Sequence, residues 1–250
     1  MTPEPDLQIA LDAAYAAFGH CRRPDALDAA PGRDPKRILA DLTARPLSEL
    51  TADDLGGYMG WAMTTVGGVG EYKHFLPRIL ELAVQGPARV HLGGDSQSLA
   101  RKMAYGRFDT WSADERAAIL AVFDAAWRQA LRVPLYEEAA EDWLRGLIQL
   151  GEHVQARLAA WLATDAPLAG LHLADAVNTE IFRRGDARLP FGFGNEYAVY
   201  ETYSVWLAGP AVRARLERLI LEIDGEEEET WRLQQALDAS MPPYPDVWRG

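Results

Sequence analysis

The sequence predicts an all-α protein, a compact antiparallel domain of about ten to twelve helices. Three observations predict it. Apolar residues recur at i, i+3, i+4 and i+7 in four separate segments. Strand-like alternation is confined to Arg89–Leu92 and Arg188–Phe191, which sit among Gly and Pro and read as loops. Capping signals stand where the apolar stripes begin.

Helices are expected at 5–19, 35–44, 51–65, 71–85, 95–105, 113–132, 136–150, 152–164, 167–183, 195–208, 210–224 and 227–239. The 51–65 helix opens at Thr51-Ala-Asp-Asp54 and carries Leu55, Tyr58, Met59, Ala62, Met63 and Val66 on one stripe. The next carries Tyr72, Phe75, Leu76, Ile79, Leu80 and Ala83; Pro77 either kinks it or marks its start after a short turn. Asp95 and Ser96 follow a Gly pair and open a helix with Leu99 and Met103 inward. Ser112-Ala-Asp-Glu115 is a capping box ahead of Ile119, Leu120, Phe123, Trp127, Ala130 and Leu131. The acid runs Glu137–Asp142 and Asp224–Glu229 suit helix starts, where carboxylates meet the positive end of the macrodipole. Asn195 is placed to cap 195–208, and Pro210 suits the first turn of the helix bearing Val212, Leu216, Leu219, Ile220 and Ile223. Trp61, Trp127, Trp143, Trp161 and Trp206 fall in apolar stripes and are expected in the core, whereas Trp248 lies in a Pro-rich tail. Linkers are expected at Arg22–Asp34, Gln85–Gly94 and Gly185–Gly194. No fixed-period repeat occurs. The short connections favour one helical domain over 1–250, with a two-lobe division near 133–136 as the alternative.

Composition narrows the function classes. A 250-residue chain, 48% hydrophobic, can bury roughly three quarters of its unfolded surface without staples. The single cysteine, Cys21, excludes an internal disulfide framework and a Cys-based zinc cluster. Lys+Arg of 25 against Asp+Glu of 37 leaves a net charge of −12, which argues against a nucleic-acid partner. Mean hydropathy is −0.19. No apolar run approaches the roughly 18–20 residues of a membrane span. The acidic start, Met1–Asp6, is unlike a secretory leader, so a cytoplasmic protein is expected.

Chemical motifs are sparse. Gly67-Gly-Val-Gly70 and Gly192-Phe-Gly194 lack the preceding strand and the Gly-Lys-Ser/Thr of a phosphate loop, so they read as helix ends and tight turns. Glu71-Tyr-Lys-His74 has the Glu-x-x-His spacing of di-iron bundles, but those sites need a second copy and two more Glu. His172-Leu-Ala-Asp175 is another isolated i, i+3 pair, and His20, His91 and His153 have no partner at ligand spacing. No metal or cofactor is expected. No Gly-x-Ser-x-Gly elbow occurs. His20 and Cys21 are adjacent and would not face each other on a helix, so Cys21 reads as a small buried residue.

Two features point to binding. In 185–203 a Gly- and Pro-containing loop runs into a helix where Glu196, Tyr200 and Tyr203 fall at i, i+4, i+7 and Tyr197 pairs with Glu201. That pattern reads either as an interface patch or as Phe191 and Phe193 packing a loop with tyrosines at the core edge. The acid runs form two negative patches able to steer a basic partner, besides serving solubility and capping.

Tyr58–Leu82 and Tyr105-Gly-Arg-Phe-Asp-Thr-Trp111 resemble segments of uncharacterised bacterial all-helical proteins, over residues 48–130. Acidic helical proteins of this kind are similar to immunity proteins encoded beside secreted toxins. The resemblance brings no catalytic residues with it. With the net charge of −12, the two acid runs, the aromatic–acidic segment 191–203 and the lack of a catalytic constellation, the expectation is a cytosolic immunity- or antitoxin-type protein that blocks a basic toxin or effector domain through Glu137, Glu138, Glu196, Tyr197, Tyr200, Glu201, Glu226, Glu227, Glu228 and Glu229. An enzyme or small-ligand binder would instead use a pocket around His74 and His172, with Glu71, Arg78, Asp175 and Asn195. A third reading is a structural protein whose oligomer interface uses the aromatic segment.

Overall fold

The structure is a computed structural model that describes residues 3–86, 93–184, 197–223 and 227–239; the side chains of 181–201 fall outside that description. Among the described residues there are thirteen α-helices and no strand, so the fold is all-α. The chain divides into two compact units, 1–129 with 142–152, and 130–141 with 153–250. It therefore passes between them at 129/130, 141/142 and 152/153.

The first unit holds α1 (Pro5–Phe18), α2 (Pro35–Leu42), α3 (Ala52–Leu55), α4 (Tyr58–Trp61), α5 (Val69–Gln85), α6 (Ser96–Tyr105), nearly all of α7 (Ala113–Ala130) and most of α8 (Ala140–Gln149). α1 starts on Pro5, whose absent N–H costs nothing in a first turn, and buries Leu7, Ala10, Leu11, Ala14 and Phe18. It packs on α5, where the Tyr15 hydroxyl donates to Glu81 Oε2 at 2.6 Å. Asp34 caps α2 by accepting from the Lys36 and Arg37 amides. The capping boxes expected at Thr51 and Ser112 both form, with Asp54 and Glu115 reaching back to the cap amides.

The structure departs from the expected 51–65 helix. Gly56, at φ +45°, ends α3 after one turn, and α4 follows separately. Gly57 is needed beside this break, because a Cβ there would lie 2.3 Å from the Trp61 ring. The apolar stripe survives because both short helices turn the same residues inward: Leu55, Tyr58, Met59 and Ala62 are buried. Trp61 itself is half-buried rather than in the core. α5, by contrast, runs unbroken through Pro77, whose missing N–H is tolerated among the buried Phe75, Leu76, Ile79 and Leu80. α8 begins four residues later than expected, because Pro134 and the residues after it form a turn.

The second unit holds α9 (Gln155–Ala163), α10 (Pro167–Arg184), α11 (Tyr197–Leu207), α12 (Pro210–Glu222) and α13 (Glu227–Ala239). α10 is its hub and packs against α11, α12 and α13. Gly170 lets α12 approach: a Cβ there would lie 2.4 Å from Leu219 Cδ2. Trp161 is buried and donates its indole N–H to the Ala169 carbonyl at 2.9 Å. Trp206 is only half-buried and lies near Tyr203.

In the first unit, Gly146 of α8 faces Phe123 of α7, which stacks edge-on to Trp143 at 5.1 Å. A Cβ at 146 would sit 2.5 Å from Phe123 Cε1. Gly146→Ala should therefore overpack this core and lower stability by about 1–3 kcal/mol, read as a reduced urea midpoint at unchanged slope.

Candidate functional site

A groove bordered by part of an acid run lies in the second unit. It is lined by Pro134, Leu135 and Tyr136 from the turn after α7, by Leu168 and Leu171 from α10, and by Glu228, Glu229 and Arg232 from α13. Its volume is about 210 Å³. Tyr136 is 87% exposed, unusually open for a large aromatic ring. Trp231, one residue before Arg232, is also exposed.

The wall carrying Tyr136 is held from beneath by His172. The His172 Nε2–H donates to the Val133 carbonyl at 2.9 Å, since a carbonyl oxygen can only accept. Its Nδ1 accepts the Ala140 N–H at 3.4 Å. One buried imidazole thus ties down both ends of the 133–140 loop. Within the loop, the Glu137 and Glu138 amides both donate to the Pro134 carbonyl. Burial pushes the His172 pKa below its usual value, against the raising effects of the Val133 carbonyl and Asp175. A ring that accepts at Nδ1 and donates at Nε2 is the neutral form, with both nitrogens satisfied.

The opposite wall is fixed by Arg232. Its guanidinium donates to Asp175 Oδ1 at 2.5 Å and to Glu228 Oε1 at 3.1 Å, while its own carbonyl accepts from the Asn178 side chain. Burial raises the Asp175 pKa, and the Arg232 charge opposes that rise. Arg232 is already neutralised by these two carboxylates, so the rim facing outward is net negative. Glu137, beside Tyr136, and Glu227 are exposed as well.

The second acid run therefore borders this groove through Glu228 and Glu229, while the first follows the Tyr136 wall in sequence without lining it. Glu138 does not line it: it is 4% exposed. Tyr197, Tyr200 and Glu201 belong to α11, but their side chains lie outside the described residues, as do Asn195, Glu196, Glu226 and Trp248. Tyr203 is buried, and its hydroxyl donates to Glu141 Oε1 at 2.8 Å.

The residues expected to line a pocket around His74 and His172 are divided between the two units, and Asn195 lies outside the described residues. His172 and Asp175 belong to the second unit and meet Arg232 there; Glu71, His74 and Arg78 belong to the first. Each of these three has a local task, because α5 turns them toward different neighbours. Glu71 accepts the Gly68 amide as a helix cap, His74 Nδ1 contacts the Cys21 carbonyl, and Arg78 donates to the Leu50 carbonyl and to Glu81. Composition gave no hint of Tyr136, Leu168, Leu171 and Arg232; the only legible signal was Pro134-Leu-Tyr standing directly before an acid run.

The first unit has a larger cleft of about 410 Å³ between α2 and the α3–α4 segment. Arg33 lies over the Trp61 ring at 3.7 Å from its centroid, and Arg37, Asp41 and Asp53 share the lining. No helix among the described residues is long and apolar enough to cross a membrane. Comparison with protein-family models, with curated proteins and with solved structures finds no match.

The His172 geometry has a pH consequence. With its folded pKa depressed, the unfolded chain binds the extra proton first as pH falls below about 6.5, so stability is lost on acidification from there. Asp175 acts with the opposite sign and at lower pH, because its raised pKa makes protonation easier in the folded state. Thermal melts should show a drop in Tm between pH 7.5 and pH 5.5 that is smaller in His172→Gln.

Proposed function

We propose that this chain is an acidic protein-binding protein of the immunity or antitoxin type, which neutralises a basic toxin or effector domain by direct binding. The observation that carries the reading is the groove: an apolar floor with an exposed Tyr136 on one wall and Glu228 and Glu229 on the other. A volume of about 210 Å³ suits one or two apolar side chains. It falls below the roughly 300–1,000 Å³ typical of small-molecule pockets. The negative rim selects a basic segment that presents an apolar anchor, and the net charge of −12 steers such a partner from a distance. Aromatic anchors set in a charged rim are common at the centres of protein interfaces.

A second reading, a small-ligand site, is favoured by the 410 Å³ cleft rather than by the two histidines. Arg33 over Trp61 and the nearby Arg37 suit a planar anionic ligand. A thermal-shift screen of aromatic carboxylates should then give hits that Arg33→Ala abolishes.

The first reading is tested by affinity capture from bacterial lysate, comparing the wild-type chain with Glu228→Lys/Glu229→Lys, Tyr136→Ala and the control Glu49→Lys. A stoichiometric basic partner is expected on the wild type and on the control. Its affinity should fall by about 1–3 kcal/mol with the double reversal at low salt, and by less at high salt, where screening removes part of the difference. An identical captured set across all four baits overturns the reading.

A further inference from the structure

A second chemically distinctive cluster lies in the first unit, where no role has yet been assigned. His20, Cys21 and Glu115 each bring one potential ligand atom, and these atoms all lie within 4.8 Å of one another. His20 and Cys21 are adjacent in sequence, yet they do face each other, because they sit in the turn past the end of α1 and not on a helix. Cys21 is half-exposed rather than buried.

The turn is anchored at each residue. The Gly19 amide donates to the Ala16 carbonyl and the Cys21 amide to the Phe18 carbonyl. His74 contacts the Cys21 carbonyl from α5 at 3.0 Å. His20 Nδ1 lies 2.9 Å from the Ala17 carbonyl, so it carries the hydrogen. In the neutral ring, Nε2 is then bare. It stands 3.7 Å from Cys21 Sγ and 3.6 Å from Glu115 Oε1. A carbonyl that fixes the histidine tautomer in this way is the usual support for a metal-binding imidazole.

Glu115 is nearly fully buried. Its carboxylate accepts from the Lys73 ammonium and from the Ser112 amide. Its two oxygens are not equivalent. Oε2 accepts from the Ser112 amide at 2.9 Å and from Lys73 at 2.7 Å. Oε1 faces His20 and shares only Lys73, at 2.9 Å. Oε1 is therefore the oxygen available to a cation.

We infer that His20 Nε2, Cys21 Sγ and Glu115 Oε1 form a three-ligand site for a borderline-soft divalent transition ion such as Zn²⁺. The donor types decide the ion class, and the distances fit it. Metal–sulfur, metal–nitrogen and metal–oxygen lengths near 2.3, 2.05 and 2.0 Å give tetrahedral S···N and N···O separations of about 3.5 and 3.3 Å. The observed 3.7 and 3.6 Å exceed these by only a few tenths of an ångström, and the third separation, Cys21 Sγ to Glu115 Oε1, is within 4.8 Å. A thiolate and an imidazole select against Mg²⁺ and Ca²⁺. Binding replaces the Cys21 S–H bond with a sulfur–metal bond, and the proton passes to solvent. Lys73 keeps its contact with Oε2. His20 is 66% exposed, so the fourth position faces water, as it does in sites that activate a bound water.

The test is a titration of the full-length reduced protein with Co²⁺, followed by Zn²⁺. One Co²⁺ per chain is expected, with a thiolate-to-cobalt charge-transfer band in the near ultraviolet that Zn²⁺ bleaches. Cys21→Ser should abolish the band. His20→Ala should weaken Co²⁺ binding at least tenfold, and His153→Ala should leave it unchanged. Both cluster residues sit in a turn, and circular dichroism of each variant checks that it folds. Absence of the band in the wild-type protein, or Co²⁺ binding unaltered by Cys21→Ser and His20→Ala, overturns the assignment.

Discussion

A carboxylate taken out of water must find a donor, and in this chain that requirement links the helices to one another. Leaving a buried polar group unsatisfied costs about 1–3 kcal/mol, and more when it is charged. An acidic chain meets the problem repeatedly. Glu81 takes Tyr15 and Arg78, which joins α1 to α5. Glu115 takes Lys73 and the Ser112 amide, which joins α5 to the start of α7. Glu141 takes Tyr203 of α11, and Asp175 takes Arg232, which joins α10 to α13. Burial together with Glu81 pushes the Tyr15 hydroxyl well above its usual pKa, so it remains a donor. Apolar packing supplies most of the driving force, but it is non-directional. These pairs add direction.

The same pairs build the candidate sites. Asp175 and Glu228 neutralise Arg232, which leaves the groove rim negative although a guanidinium lines it. Lys73 holds Glu115 ionised beneath Cys21 and His20, and its ammonium lies over the Trp111 ring at 4.4 Å. His172 provides the neutral counterpart. Its two nitrogens satisfy a carbonyl and an amide, and in doing so they fix the loop that carries Tyr136. In each case a structural interaction on the inside determines what is presented on the outside.

Helical periodicity was a reliable guide to class and to most elements, because burying one stripe of a helix imposes a 3.6-residue spacing. It was blind to the break at Gly56, since two short helices can bury the same stripe as one long one. It also placed Trp61 inside, whereas the broken segment leaves the ring at the edge of a cleft beside Arg33. The acid runs were legible as surface patches. That Tyr136 and Glu228 line one groove was not, because that depends on how α10 sets the 133–140 loop beside α13. The His20–Cys21 contact was missed for a related reason: adjacency forbids facing on a helix but not in a turn.

By itself the sequence determined that the chain is helical, acidic and rich in capped amphipathic segments, because those properties follow from local spacing and composition. Only the tertiary structure decided which charges are neutralised inside and which face outward. Glu138 is buried while its neighbour Glu137 is exposed. Glu115, expected only as a helix cap, is also the buried carboxylate of a Lys–His–Cys cluster. The physical reason is that a charge's role depends on its partners, and those partners come from helices distant in sequence.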